Sequence, residues 1–364
     1  MISFQSNFRN KTVFITGHTG FKGSWLTLWL NSLGAKVWGY SLPAPKSPNN
    51  FRLSKIEGCL AKHIEADIRN YRRLKQCLNN AAPDFIFHLA AQPLVRESYR
   101  APRETFETNI GGTVNLLEAI RELKRPGVVI VVTSDKCYEN TGKTHGYRED
   151  DPMGGHDPYS ASKGAVEIVT ASFRRSFFHP ESISEHGVKL ASARSGNVIG
   201  GGDWAPDRII PDCVSALIRH KPINVRNPTA VRPWQHVLEP LSGYLALAAR
   251  LDSAGKKEEK KYCAAWNFGP SGKSMHPVKD LVEETIKHWG KGSWRDMSDK
   301  NAPHEAAYLT LSSGKARRRL GWQNVWNFSQ TVEKTVVWYK AWHGGKTNLK
   351  NLCLAQIEEH ESSN

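Results

Sequence analysis

Tyr159 and Lys163 stand four residues apart in DPYSASKGAVE, a spacing that sets two side chains on one face of a helix. The pair has a chemical use. A free tyrosine titrates at about 10, too high for a base at neutral pH, and an adjacent ammonium stabilises the phenolate and lowers that value. Tyr159 is then placed to take a proton from a substrate alcohol, with Lys163 left to hold the ribose of a nicotinamide.

A second constellation lies upstream. FITGHTGFKGSWL is an apolar run that breaks on Gly17, Gly20 and Gly23 and then turns helical. Glycine at the turn permits an unusual φ, the next lets the chain approach a pyrophosphate, and the last lets helix pack on strand. The helix start adds unpaired N–H groups and the positive end of its dipole. This arrangement points to a dinucleotide. The acid that usually holds the adenosine ribose should fall near Tyr40 or Ser41, and neither is acidic, so NAD is not separated from NADP on this ground. Lys22 inside the loop either meets a 2′-phosphate or is solvated. Asp67, after a strand-like stretch, either holds the adenine edge or is an exposed loop acid.

These residues need a scaffold. Short runs rich in β-branched or aromatic residues at 11–16, 36–40, 85–90, 128–134 and 188–194 predict strands. Helical patterns fall between them, starting at Gly23 with Gly34 as the stop, over YRRLKQCLNN, over 101–123 and over 159–178. Strands alternating with helices imply right-handed crossovers and a parallel sheet covered on both faces. The fold class is therefore α/β, a Rossmann-type doubly wound parallel sheet with a smaller C-terminal α/β region. Residues 1–196 form the nucleotide-binding domain, with 237–270 returning to it through AAWNFGPSG. Residues 197–236 and 271–345 cover the substrate, and 346–364 are a tail with a weak amphipathic helix and a frayed end.

Composition narrows the class. The chain has 364 residues, 39% apolar and 23% charged, with no apolar run near the roughly 20 residues of a membrane span. Neither a membrane segment nor a signal peptide is expected. The 6 cysteines are scattered without paired spacing, so they read as free thiols of a reducing cytoplasm. The formal charge of +15 is spread along the chain and reads as solvated faces rather than a polyanion patch. His18, His88 and His236 sit beside motifs without a metal-like set of neighbours, so they read as hydrogen-bonding or packing groups and no metal is expected.

With the glycine loop, HLAAQ at 88–92, TSDKCYEN at 133–140 and the Tyr-x-x-x-Lys pair in one order, most of the chain resembles the extended short-chain dehydrogenase/reductase family. The longer strings, ARSGNVIGGGDWAPDRIIPD and VRPWQHVLEPLSGYL among them, resemble its nucleotide-sugar 4,6-dehydratases, and within those the ones that act on CDP-glucose. The resemblance implies bound NAD, oxidation of the sugar at C4, loss of water across C5 and C6, and return of the hydride to C6, a step of deoxysugar synthesis. It implies catalysis by Tyr159 with Lys163, Ser134 bonding the C4 hydroxyl, Asp135 protonating the departing C6 hydroxyl and Lys136 taking the C5 proton. The wider family has Asp-Glu where this chain has Asp135-Lys136. The implied cofactor set is Gly17, His18, Gly20, Phe21, Lys22, Gly23, Asp67, Ile68, Leu89, Ala90, Ala91, Thr108 and Thr133 with Tyr159 and Lys163. Asn197, Arg208, Arg232 and Glu305 would grip the nucleotide sugar. Trp204 and Trp234 are core or stacking residues. The helices at 101–123 and 159–178 would pair across a homodimer or homotetramer axis. An epimerase of the same fold would need Tyr159 and Lys163 but no acid and base at 135 and 136. A dinucleotide-sensing nucleic-acid-binding protein would need neither pair.

Overall fold

The computed structural model describes residues 4–46, 48–125, 127–143, 145–255, 258–270, 275–298, 309–345 and 348–363. Its centre is a seven-stranded parallel sheet. The strands are β1 (Thr12–Thr16), β2 (Lys36–Ser41), β3 (Lys62–Glu65), β4 (Phe85–His88), β5 (Gly127–Val132), β6 (Val188–Arg194) and, after a long excursion, β7 (Ala265–Asn267). Their spatial order is β7-β6-β5-β4-β1-β2-β3. All of β4 and nearly all of β5 are buried, as expected for parallel strands covered on both faces. The chain order reverses between β1 and β4, and in open sheets of this kind ligands bind outside the carboxyl ends of the strands at that point.

The crossovers are α1 (Phe21–Ser32), α2 (Tyr71–Ala81), α3 (Pro102–Phe106), α4 (Gly112–Leu123) and α5 (Pro158–Ser176). The helix expected over 101–123 runs on through α3 and α4 with one π turn at Glu107–Gly111 between them. Such turns often mark functional sites, and Thr108 on this one faces the central cavity. Helix α1 is apolar nearly all round, with Trp25, Leu28 and Trp29 fully buried, a pattern that requires cover on both sides.

The outer cover comes from the C-terminus, where the expected helix forms and its polar end, expected to fray, is packed instead. Residues Leu349–Ser362 form a helix with Leu349, Cys353, Ile357 and His360 buried. The Trp29 indole donates to Glu361 Oε1 at 2.7 Å, and His360 lies 3.3 Å from the buried Glu239 carboxylate. Without this helix the Trp29 face of α1 would meet water.

The smaller part is built from α6 (Ile209–Ile218), a parallel pair Ile223–Val225 with Trp294–Asp296, an antiparallel pair Val231–Pro233 with Met275–Pro277, and the helix Val278–Trp289. It is tied to the sheet by the parallel bridge of Val198–Ile199 with Gln235–His236. Between the two parts lies a cavity of about 770 Å³. No described helix is long and apolar enough to cross a membrane.

Candidate active site

The glycine loop forms the cavity's first wall. Gly17 has φ +78°, and a Cβ there would stand 2.7 Å from the backbone nitrogen of Ala90 on the next strand's loop. A Cβ on Gly23 would stand 2.1 Å from the carbonyl oxygen of Gly17. Both positions therefore admit only glycine without backbone movement. Gly20 caps α1 with no side-chain bond, so the first turn of the helix, with Phe21, Lys22 and Gly23 on the cavity wall, keeps its N–H groups for an anion. This bare, glycine-lined helix start fits a dinucleotide pyrophosphate. Asp67, Ile68, Leu89, Ala90, Ala91, Thr108 and Thr133 line the same cavity.

Two expectations about this wall are corrected. His18 does not face the cavity. Its ring packs over Gly39, where a Cβ would lie 2.4 Å from it, and its Nε2 shares a 2.7 Å hydrogen bond with His63 Nδ1. Burial, and then the nearby His63, push its pKa down to about 3. Lys22 neither reaches the ribose end nor is solvated. It points inward and donates to Ser195 Oγ at 2.8 Å. Burial, then Arg208, push its pKa down to about 7, against Asp135, which raises it. At the ribose end Ser41 Oγ instead shares a hydrogen bond of 2.8 Å with Thr19 Oγ1. Asp67 is paired with Arg69, whose Nε lies 3.0 Å from Oδ2; that bond first of all holds the carboxyl below its usual range.

The opposite wall comes from the end of β5 and from α5. The strand stops at Val132, and Asp135–Cys137 form one 3₁₀ turn capped by Ser134, whose Oγ accepts from the Lys136 N–H at 3.2 Å. Residues on a strand alternate faces; this turn is what lets Ser134, Asp135 and Lys136 all line one cavity. Asp135 is nearly sealed from solvent, and its two oxygens accept from Ser134 Oγ at 2.9 Å and from Asn197 Nδ2 at 3.0 Å. Asn197 has left-handed backbone, φ +52°; one amide N–H is taken by Asp135, and the residue lines the cavity.

Helix α5 starts at a cap in which Asp157 accepts from the Ser160 N–H, and it carries Tyr159 and Lys163 on its cavity face. The Tyr159 phenol and Ser134 line the same wall. The phenol's pKa runs opposite to the expected direction, pushed up to about 12. Burial dominates, Asp135 adds to it, and Ser134 and Arg208 oppose it. Lys163 is pushed down to about 8 by burial, opposed by Cys137 and Glu167. Behind Tyr159, Asn109 on the π turn donates to Ser162 Oγ at 2.8 Å and accepts from the Gln92 N–H at 2.8 Å. That pins α5 to the loop after β4.

On the substrate side Arg208 and Arg232 line the cavity. The Arg208 guanidinium is held by Asp203 at 2.6 Å, and Arg232 donates to the carbonyl of Val231 at 2.9 Å. Trp234 is buried and lines the cavity, whereas Trp204 packs edge-on against Tyr339 and Trp342. Glu305 lies outside the described residues. Sequence reasoning missed Ser195, Asp203, Asp207, Arg96 and Arg226, all on the cavity wall. Asp207, at φ +62°, stands 3.5 Å from Arg96 of the sheet domain and 2.8 Å from Arg226 of the smaller part. The acids of GGGDWAPDR were the available signal, but the arginines they meet are distant in sequence.

Residues 14–335 match the family model described as GDP-mannose 4,6 dehydratase. The chain belongs to that family. A CDP-glucose 4,6-dehydratase of Salmonella typhimurium is 47% identical over 342 residues, covering 94% of both chains. A probable dTDP-glucose 4,6-dehydratase of Sinorhizobium fredii is 25% identical over 90% of this chain and 92% of its own. In three dimensions a dTDP-glucose 4,6-dehydratase from Streptomyces venezuelae, solved with NAD bound, superposes with a TM-score of 0.77 at 23% identity, covering 93% of this chain and 99% of that one.

Proposed function

We propose that the protein is an NAD-dependent lyase that dehydrates CDP-D-glucose to CDP-4-keto-6-deoxy-D-glucose. The observation that carries this reading is one cavity bounded by both the bare glycine helix start and the Ser134-Asp135-Lys136 turn facing Tyr159. The 47% identity to a CDP-glucose 4,6-dehydratase supports the choice of sugar nucleotide.

NAD, when bound, supplies the acceptor for the C4 hydride, the donor to C6 and a positive charge in the cavity. The walls of Gly17, Gly20, Gly23, Ala90, Ala91 and Thr108 hold it. The chain's own residues do the rest. Tyr159 takes the C4 hydroxyl proton, and Ser134, on the same wall, orients the same hydroxyl. Burial favours the protonated Tyr159 phenol, so cationic charge, from Lys163 and from what binds, must offset it. A C4 ketone acidifies the C5 proton because the carbanion left behind is an enolate. Lys136 removes that proton, and Asp135 protonates the C6 hydroxyl, which leaves as water. Asn197 and Ser134 fix the Asp135 carboxyl for this transfer, while Arg208 and Arg232 grip the diphosphate.

Exposed Phe106, Val114 and Ile168 on α3, α4 and α5 support pairing of two chains through these helices, as a homodimer or homotetramer, which sedimentation tests. Six buried, unpaired thiols suit a cytoplasmic enzyme. The decisive experiment supplies CDP-glucose deuterated at C4 with a trace of NAD. The reading expects deuterium at C6 of the product and no net reduction of NAD. Loss of the label to water, or an unchanged panel of nucleotide glucoses, would overturn it.

A further inference from the structure

A second cavity, of about 430 Å³, lies along the same helix as the catalytic pair. Helix α5 presents Tyr159 and Lys163 to the active site and, one and three turns on, Glu167 and Arg174 to this other space. Arg194, Lys315 and Glu149 complete most of its polar lining, with Asp150, Asp151 and Arg175 at the margins.

The acceptors here are largely taken. Glu167 receives Thr133 Oγ1 at 2.5 Å, Ser192 Oγ at 2.7 Å and Arg194 Nη2 at 2.8 Å. Glu149 receives the backbone N–H of Asn267, and Asp151 receives Lys143 and the Arg148 N–H. The donors are in surplus. Arg174 makes no hydrogen bond or ion pair with any described residue, although its Nε is shut from solvent. Arg194 is 3% exposed, and its Nε also lacks a partner. Lys315 gives one proton to the carbonyl of Ala265 at 2.7 Å and lies over the Trp266 ring at 4.4 Å, leaving two N–H groups. Arg194 is buried but already donates to Tyr138, the Glu149 carbonyl and Glu167, and Arg174 and Lys315 are half-buried; partly desolvated cationic donors left without acceptors are costly, and the group that satisfies them is rich in lone pairs and negatively charged.

We propose that this cavity is a second ligand site, taking a small phosphate-class oxyanion held by Arg174 and Lys315 with Arg194 completing the wall. A planar guanidinium offers paired N–H groups to two oxygens of a tetrahedral anion, and an ammonium meets a third. Asp150 at the rim has no partner but is exposed, where salt weakens its repulsion. The site is wired to the catalytic wall. Arg194 holds Glu167, and Glu167 holds the hydroxyl of Thr133, the residue before Ser134. An anion that draws on Arg194 therefore alters the support of the β5 end, so occupancy and turnover are linked.

The test uses the full-length protein with the active cavity saturated by CDP, at constant ionic strength, with chloride as the control. Inorganic phosphate and, separately, a hexose 1-phosphate are titrated by calorimetry into the wild type and Arg174→Gln. Arg174 does not line the active cavity and bonds no described residue, so Arg174→Gln is expected to fold and keep its basal dehydration rate, which a urea midpoint and an assay check. Both probes are expected to bind the wild type, and affinity should fall about tenfold or more in Arg174→Gln. Tighter binding of the hexose 1-phosphate would mark an organic phosphate as the natural occupant, and the reverse order free phosphate. Equal binding by Arg174→Gln and wild type, or no binding beyond the chloride control, would overturn the proposal.

Discussion

The two walls of the active cavity are made of different material. The cofactor wall is backbone and small residues, where Gly17 and Gly23 leave no room for a methyl group. The substrate wall is charged side chains, each restrained by another: Asp135 by Asn197 and Ser134, Arg208 by Asp203, Arg226 by Asp207. The first kind of wall recognises shape and fails abruptly when enlarged. The second recognises charge and is tuned by changes that leave the fold alone.

The sharpest break of that contrast is Asp135→Asn, which keeps the shape and removes the proton donor. Dehydration should fall by roughly 10²–10⁴, while transfer of the C4 deuterium to stoichiometric NAD, read as the mass of the reduced cofactor, persists. Equal loss of both would refute the division of labour between Tyr159 and Asp135. On the other wall Gly23→Ala adds one methyl group against the Gly17 carbonyl. About 1–3 kcal/mol of stability should go, together with measurable NAD binding by calorimetry. An alanine variant that binds NAD normally would show the loop to be softer than its packing.

Titration separates the walls further. Burial holds His18 and His88 neutral, both pushed down to about 3. The unfolded chain binds their protons first, so their contribution to stability is full above pH 6.5 and is lost as pH falls toward 3. At pH 5 each should cost about 2 kcal/mol, seen as a drop in the urea midpoint relative to pH 7. In His88→Gln that drop should shrink. A smaller effect belongs to catalysis. Lys163 loses its ammonium as pH rises through about 8, and with it the charge that favours the Tyr159 phenolate. Above pH 8, kcat/KM should fall by up to about tenfold per unit, and Lys163→Arg, though slower, should show no such limb. The mildest change is Asp207→Asn. Its arginine partners are well exposed, with side chains 38% and 40% accessible, so about 0–1 kcal/mol is at stake and KM for CDP-glucose should move less than about fivefold.

Much of this was legible before any coordinates. The alternation of strands and helices, the glycine loop and the Tyr159–Lys163 spacing are local patterns, and local patterns survive in sequence because dihedral preference and helical periodicity act over a few residues. What could not be read is long-range. Lys22 looked like a ribose-end or solvated residue until Ser195, 173 positions away, was found under its ammonium. Tyr159 looked like an acidified phenol until the burial around it was known, because desolvation is a property of everything packed nearby. The polar end of the 349–362 helix looked frayed because its face for Trp29 and Glu239 is apolar only in part, with His360 and Glu361 serving as contacts.

Sequence by itself determined that a dinucleotide loop and a proton-transfer pair belong to one parallel α/β sheet. Tertiary structure alone decided which cations share a desolvated space, which carboxylates hold them, and which, like Arg174, are left without a partner. The reason is that electrostatic energy depends on distance through space and on exclusion of water, and neither is written along the chain.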